Sequence, residues 1–461
     1  MTKNRYHTTK KTLLALASVS ALGSAHAGAL YFDFNKNTEG DTANASLFLF
    51  GTAGQTATVS NLAGFNQNVT FGANGFFNLP IPNIYQQSGT GIRNTGFEVL
   101  SSGNVAGYFI NRAGFTTDMT YLLDRASLGR EYVVASQGVG FGEGSQVSIR
   151  AIVDNTTVTF TPTVGAPVNV TLNAGQTYKY AGGNVNLTGS FVSASNDVAV
   201  FSGHECAQVP AGVAFCDTLI EQAIPTDKLS KNYLLTATRG AEITPQNSDL
   251  IRVIATVNGT EVRVNGAVVA TLNKGQFHEF SLTEATGARV EASNPVAVAQ
   301  YLTGGQGANT DPAMSYVPGQ DTWLKEYRLA TPSGSAAFDL NYASIVISEA
   351  DMASLMLDGV VVNTASFSAI GSTGFRRGNV NLPLGLFNLT AANPFLVMLG
   401  GGSAADSYLT YGGSTFAPGI SPPPPPPPPP TPPGTVPTPG SLWLALTALV
   451  GLGFMRRQRR G

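Results

Sequence analysis

Side chains able to do acid, base or metal chemistry are sparse in this 461-residue sequence. Of four histidines, His7 and His26 fall in the first 27 residues, so only His204 and His278 remain as general-base candidates in the body. His278 stands in Gln276-Phe277-His278-Glu279-Phe280, an alternating strand pattern that turns its polar positions to solvent. Asp217 and Glu221 come nearest to the paired carboxylates of a glycosidase. The run Asp33-Phe34-Asn35-Lys36-Asn37-Thr38-Glu39-Gly40-Asp41 sets oxygens at alternate positions, as a calcium loop does. It lacks glycine at the sixth position and glutamate at the twelfth, where Asn44 stands, so a solvated strand-to-loop transition fits it better. No G-x-S-x-G elbow and no phosphate-binding G-x-x-x-x-G-K-[ST] loop occurs. Gly138-Val139-Gly140-Phe141-Gly142 is glycine-rich but opens no helix. This inventory points to a protein with no catalytic residues, no cofactor and no metal.

One acidic series remains. Asp118, Asp217 and Asp311, with Asp406 as a fourth member, sit at similar places in successive long connections. A shared ligand or ion contact is one reading of them, and capping of turns or strand ends is the other and the better supported. The connections run from Phe115 to Gly129, His204 to Lys231 and Gln306 to Lys325. Loops of that length are usually functional or packed on the surface.

The elements that must position these residues repeat. A strand–turn–strand unit recurs at about 95–100 residues as Phe97-Glu98-Val99 with Asn104-Val105-Ala106-Gly107-Tyr108, then as Phe191-Val192-Ser193 with Asn196-Asp197-Val198. It returns in Val290 to Val298 around Asn294-Pro295 and in Leu389 to Val397 around Asn393-Pro394. Thr171-Leu172-Asn173-Ala174-Gly175-Gln176 comes back as Thr271-Leu272-Asn273-Lys274-Gly275-Gln276. Glu131-Tyr132 comes back as Asn232-Tyr233 and Glu326-Tyr327. Asn258-Gly259, Asn265-Gly266 and Asp358-Gly359 are hairpin signals between β-branched runs that show no helical stripe. The expectation is an all-β body, residues 28–418, of four tandem repeats at about 28–129, 130–230, 231–323 and 324–418, each with six or seven strands. A string of β-sandwiches is the first architecture to expect, and a closed propeller-like ring of the repeats is the alternative.

The ends indicate export. Lys3, Arg5, Lys10 and Lys11, the apolar run Leu13 to Leu22 and Ala25-His26-Ala27 form a signal peptide cut by signal peptidase between Ala27 and Gly28. Residues 419–440 are a Pro-rich linker whose run Pro422 to Pro430 is a stiff spacer. Ser441 to Met455 is an apolar helix too short to anchor firmly, and Arg456, Arg457, Arg459 and Arg460 stay on the cytoplasmic side. Eight of the 26 basic residues lie in these ends, which leaves 18 against 28 acidic ones in the body. An acidic body without a basic cluster argues against nucleic acid as a partner. In an oxidising compartment Cys206 and Cys216 pair as a disulfide, since no second cluster completes a zinc site.

Two resemblances follow. Pro437-Thr438-Pro439-Gly440, the short apolar helix and the arginine cluster resemble the PEP-CTERM sorting tail, with Thr438 where that motif usually has Glu. This implies an exosortase-like processing enzyme as a partner and transient anchoring in the inner membrane through the helix. Val198-Ala199-Val200-Phe201-Ser202-Gly203, Cys206, Cys216-Asp217, Leu219-Ile220-Glu221-Gln222, Pro225 and Lys231-Asn232-Tyr233 resemble the N-terminal domain family of IgG-Fc-binding proteins. That resemblance implies an extracellular interaction module without enzymatic activity. The leading expectation is therefore an adhesin-like surface or matrix protein that binds a glycan or glycoprotein. A secreted polysaccharide-active enzyme using Asp217 and Glu221, and a structural envelope or sheath component, are the alternatives.

Overall fold

The computed structural model describes residues 28–38, 45–242, 248–283, 286–305, 310–333 and 337–417. Ala27 of the signal cleavage site, the Pro-rich linker, Pro437 to Gly440 and the arginine tail lie outside the described residues. Among those described, the regular structure is β-strand with short 3-10 turns, and no helix is long and apolar enough to cross a membrane.

Residues 232–316 show the plan. Their eight strands are Asn232–Thr236, Ser248–Ala255, Thr260–Val264, Ala267–Leu272, Phe277–Thr283, Gly287–Ala292, Val296–Leu302 and Ala313–Tyr316. In one sheet the order is first, sixth, third, fourth; in the other it is fifth, second, seventh, eighth. The same two orders recur in the groups at 28–121, 129–222 and 324–411, with Gly91–Arg93 of the first group added outside the second group's fifth strand and Ser368–Ala369 outside the fourth group's fifth. In the second and fourth groups the sixth and seventh strands are one long strand, Phe191–Ala207 or Gly385–Ser403, which leaves one sheet and enters the other.

Local chemistry explains the pieces. In Thr56–Asn61, Ala57 and Val59 point inward and are buried while their neighbours face outward. Asn265 (φ 50°) and Gly266 (φ 85°) turn Val264 back onto Ala267, and Asp358 (φ 50°) and Gly359 (φ 79°) do the same for Leu357 and Val360. A two-residue turn with both φ positive matches the twist of the strands it joins, which is why Asn-Gly and Asp-Gly stand there. The two sheets of a group close over apolar side chains. In the first, Phe32 stacks on Phe97 at 4.6 Å and on Phe109 of the facing sheet at 4.7 Å. A tyrosine ties the first strand of three groups to the sixth–seventh junction. The Tyr132 hydroxyl donates to the Val198 carbonyl at 2.6 Å, and that of Tyr233 to the Val296 carbonyl at 2.6 Å. Tyr327 donates likewise to the Phe395 carbonyl.

The groups differ from expectation in one respect: each has an eighth strand. Thr116–Tyr121, Asp217–Gln222, Ala313–Tyr316 and Asp406–Tyr411 occupy the stretches that composition reads as long connections. These four strands are buried throughout. They pack on one another in a closed cycle, first group to second, second to third, third to fourth and fourth back to first. Sandwiches are thus the units, and a ring is how they are arranged.

Buried arginines join the groups. Arg150 lies opposite Ala199 in the second group's second strand and stands 4.0 Å from Glu98 of the first group. Arg252, two positions out of step with it, lies opposite Ala299 in the third group's second strand. Arg252 donates to the Ser136 carbonyl and the Thr188 hydroxyl of the preceding group. Arg377 of the fourth group donates to Thr236 Oγ1 at 2.8 Å and to the Ala237 carbonyl. Closure from fourth group to first uses Thr410, whose hydroxyl accepts the Tyr121 N–H at 2.9 Å, and Ala417, whose carbonyl accepts the Tyr121 hydroxyl at 3.0 Å.

Candidate functional site

Each eighth strand is the last of its sheet, paired on one side only, so its outer edge carries N–H groups without a ladder partner. Four such edges converge on the ring axis, where water is excluded. Buried N–H groups require acceptors, and Asp118 supplies them. Its Oδ1 accepts from the N–H of Met119 at 2.9 Å and of Leu409 at 3.2 Å. Its Oδ2 accepts from Ile220 and Met314, both at 3.1 Å. One donor comes from each group, and the four residues hold the same place in their strands. Burial pushes the Asp118 carboxyl well above the usual range, and the four N–H bonds pull it back.

Neighbouring layers continue the pattern. Thr120 Oγ1 accepts the Gln222 N–H at 2.8 Å and donates to Glu221 Oε1 at 2.6 Å. Gln222 Oε1 accepts the Leu123 N–H at 2.8 Å. Ser407 Oγ accepts the Asp311 N–H at 2.7 Å. Burial, more than the nearby Asp118, raises Glu221 well above its ordinary pKa.

On the other side of Asp118 lie Asp217, Asp311 and Asp406, with Thr116 in the fourth place. Asp217 Oδ1 accepts the Thr218 N–H at 2.7 Å, and its Oδ2 is buried without a partner. Burial first, then Asp406, Asp311 and Asp118, raises Asp217 well above the carboxylate range. Asp311 is pushed up to about 7, by burial and then by Asp406. Arg112 stands 3.5 Å from Asp406. The structure thus gathers Asp118, Asp217, Glu221, Asp311 and Asp406 about one axis. Asp118 is two positions out of step with the other three. Nothing in its role caps a turn; it fills the acceptor requirement of four strand edges.

These acids are buried away from solvent. Asp217 and Glu221, the acids of the polysaccharide-enzyme alternative, are both fully buried. His204 is buried too; its Nδ1 accepts the Cys206 N–H at 3.0 Å, and burial lowers its pKa to about 4. Among the described residues no group of three or more His, Cys, Asp or Glu is placed to hold a metal ion. In the run from Asp33, the oxygen-bearing Asp33, Asn35 and Asn37 are buried rather than solvated. Asp33 accepts from Gln87 and Thr177, Asn35 from Lys179, and Asn37 bonds Asn111 and Thr116, all inside the protein. Residues 39–44, which would complete that loop, lie outside the described residues.

The accessible feature lies at the aspartate end of the axis. The starts of the four eighth strands gather there, because the strands enter in step, and beside them stand the described turns of the first and second groups. They carry Phe115 and Phe215, respectively 68% and 49% exposed, where solvent contact costs a protein apolar surface. Cys206 and Cys216 are disulfide-bonded and close the second of these turns. Beside that turn Val139 and Phe141 are also exposed, Phe141 opposite Cys206. Sequence motifs gave no sign of this patch, since single exposed aromatics have no pattern until the turns are brought together.

Two comparisons bear on what such a molecule is. The family model described as IgGFc binding protein matches residues 118–401, from the axial aspartate into the fourth group's long strand. The IgGFc-binding protein of Homo sapiens is 24% identical over 300 residues, which cover 59% of this chain and 5% of that protein. The chain therefore corresponds to a small part of that relative's length.

Proposed function

Since the chain belongs to the IgGFc binding protein family, we propose that it is an extracellular, non-catalytic binding protein of the cell surface or matrix, with a glycoprotein as its ligand. The observation that carries this is the exposure of Phe115, Phe141 and Phe215 beside the ends of strands that pack in a ring with its axial acids sealed inside. Exposed aromatics on a rigid frame bind at low entropic cost, and a few such anchors dominate an interface. The frame needs no moving part to present them.

The test is binding of the purified protein to a panel of immunoglobulins, mucin-type glycoproteins and polysaccharides by biolayer interferometry. Binding to a glycoprotein is expected, weakened at least about tenfold in a Phe115→Ser, Phe215→Ser double variant that melts like the parent. A folded protein that binds nothing on the panel, or a double variant that binds as tightly as the parent, would sink the proposal.

Export and sorting belong to the same proposal. Its support is the charged, apolar and small-residue order before Gly28, and the Pro437-Thr438-Pro439-Gly440, helix and arginine order at the other end. An exosortase-like enzyme then removes the tail and leaves the body on the surface or free. Peptide mapping of the secreted form is expected to begin at Gly28 and to lack Ser441 to Gly461. Recovery of that tail in the secreted protein would contradict the processing step.

A further inference from the structure

Between the first and second groups a lysine and an asparagine lie buried in contact. Asn35 follows the first strand and forms a parallel bridge with Gln87; Lys179 is in the second group's strand Thr177–Gly183. Neither side chain is exposed to solvent. Lys179 Nζ lies 3.0 Å from Asn35 Oδ1 and also donates to Gln146 Oε1. Gln146 is itself fixed by its Nε2 bond to the Lys36 carbonyl at 2.8 Å. Asn35 Nδ2 is buried with no hydrogen-bond partner. Among the described residues no carboxylate lies within ion-pair distance of Nζ.

One rung away is Asp33. Its Oδ1 accepts from Gln87 Nε2 at 3.0 Å and from Thr177 Oγ1 at 2.9 Å, and its Oδ2 is buried and unpartnered. Asp33 is two residues from Asn35, and Thr177 is two from Lys179, so both pairs face one another across the same interface.

A buried lysine without a counter-ion is costly as an ammonium. Burial lowers Lys179 to about 7, against the opposing pull of Glu143, Asp33 and Glu205, so much of it is a neutral amine at neutral pH. Burial also raises Asp33, which keeps a proton available there. A neutral amine held against an amide carbonyl, with a buried carboxyl group one rung away, brings a nucleophile, an electrophile and a proton carrier into one dry interface.

We propose that Lys179 and Asn35 join in an intramolecular amide cross-link. The Nζ lone pair forms a bond to Asn35 Cγ while the protonated Asp33 carboxyl gives its proton to Nδ2. The Cγ–Nδ2 bond breaks, ammonia leaves, and the Asp33 carboxylate takes up the amine proton. Nothing is oxidised or reduced, and the chain loses the mass of one ammonia. The bond ties the opening segment of the first group to the second group, which suits a protein that must hold its frame outside the cell.

Peptide mapping of the reduced full-length protein by tandem mass spectrometry decides the matter. The expected result is a branched peptide joining the segments that contain Asn35 and Lys179, lighter than the two linear peptides by one ammonia. It is absent from Lys179→Arg and Asn35→Ala chains, and Asp33→Asn leaves the two residues uncoupled. Recovery from folded parent protein of only linear peptides, with Asn35 and Lys179 unmodified, would overturn the cross-link. Full coupling in Asp33→Asn would remove Asp33 from the chemistry.

Discussion

Replacing Asp118 by alanine is expected to destabilise the protein by at least about 4 kcal/mol, enough to unfold a domain of ordinary stability. Four backbone N–H groups, those of Met119, Ile220, Met314 and Leu409, lose their acceptor at once in a place no solvent reaches. Each buried donor left unmade costs about 1–3 kcal/mol, and the losses coincide because one carboxylate serves all four. Asp118→Asn is nearly isosteric and still harmful, since its NH2 points at two of the donors. Equilibrium urea unfolding measures both variants. A loss under about 1 kcal/mol in Asp118→Ala would mean that the axis does not depend on this side chain.

The contribution of Asp311 to stability is expected to grow on acidification between neutral pH and about pH 4, opposed below about pH 6.5 by His204, whose folded pKa of about 4 makes acid unfavourable to it. The sign follows from where the proton sits. Asp311 has a folded pKa of about 7 against an ordinary 3.8, because of burial and then of Asp406. Between those values the folded chain holds a proton that the unfolded chain has released. Stability is therefore lost as pH rises through this window and regained as it falls. At about 1.36 kcal/mol per unit, the upper bound is about 4 kcal/mol. Asp249, raised to about 6 chiefly by burial, acts in the same direction over a narrower range. Asp217 and Glu221 are raised as well. Arg112, close to Asp406, limits the repulsion that Asp311 feels. An Asp311→Asn variant should be more stable than the parent at pH 7.5 and about equal to it at pH 4. An Asp311→Asn advantage in melting temperature that does not shrink between pH 7.5 and pH 5 would contradict this.

Much of the fold is visible in the residues because its determinants are local. Asn265-Gly266 and Asp358-Gly359 name their turns through the positive φ they tolerate. The alternation around Ala57 and Val59 needs only one buried face to be read. Cys206 and Cys216 are ten residues apart, and their pairing follows from chemistry and compartment. The eighth strands hide for the opposite reason. Thr116-Thr117-Asp118-Met119-Thr120-Tyr121 is buried on every side, so it shows no alternation, and its polar side chains look like those of a loop. Thr120 and Asp118 are polar because they accept from neighbouring strands more than a hundred residues away in sequence. The aspartates at Asp217, Asp311 and Asp406 look equivalent to Asp118 by spacing. Only the backbone register shows that Asp118 is offset by two and does a different task. The segment from Asp33 misled likewise, because Thr177 and Lys179, which bury it, lie 144 residues downstream.

Amide hydrogen exchange of the native protein tests most directly whether the four groups form one closed frame around Asp118. The amides of Met119, Ile220, Met314 and Leu409 should exchange together, at the slow rate set by global unfolding, and all four should speed up in Asp118→Asn. Four different rates in the parent protein, each tracking its own group, would contradict a frame locked at the axis.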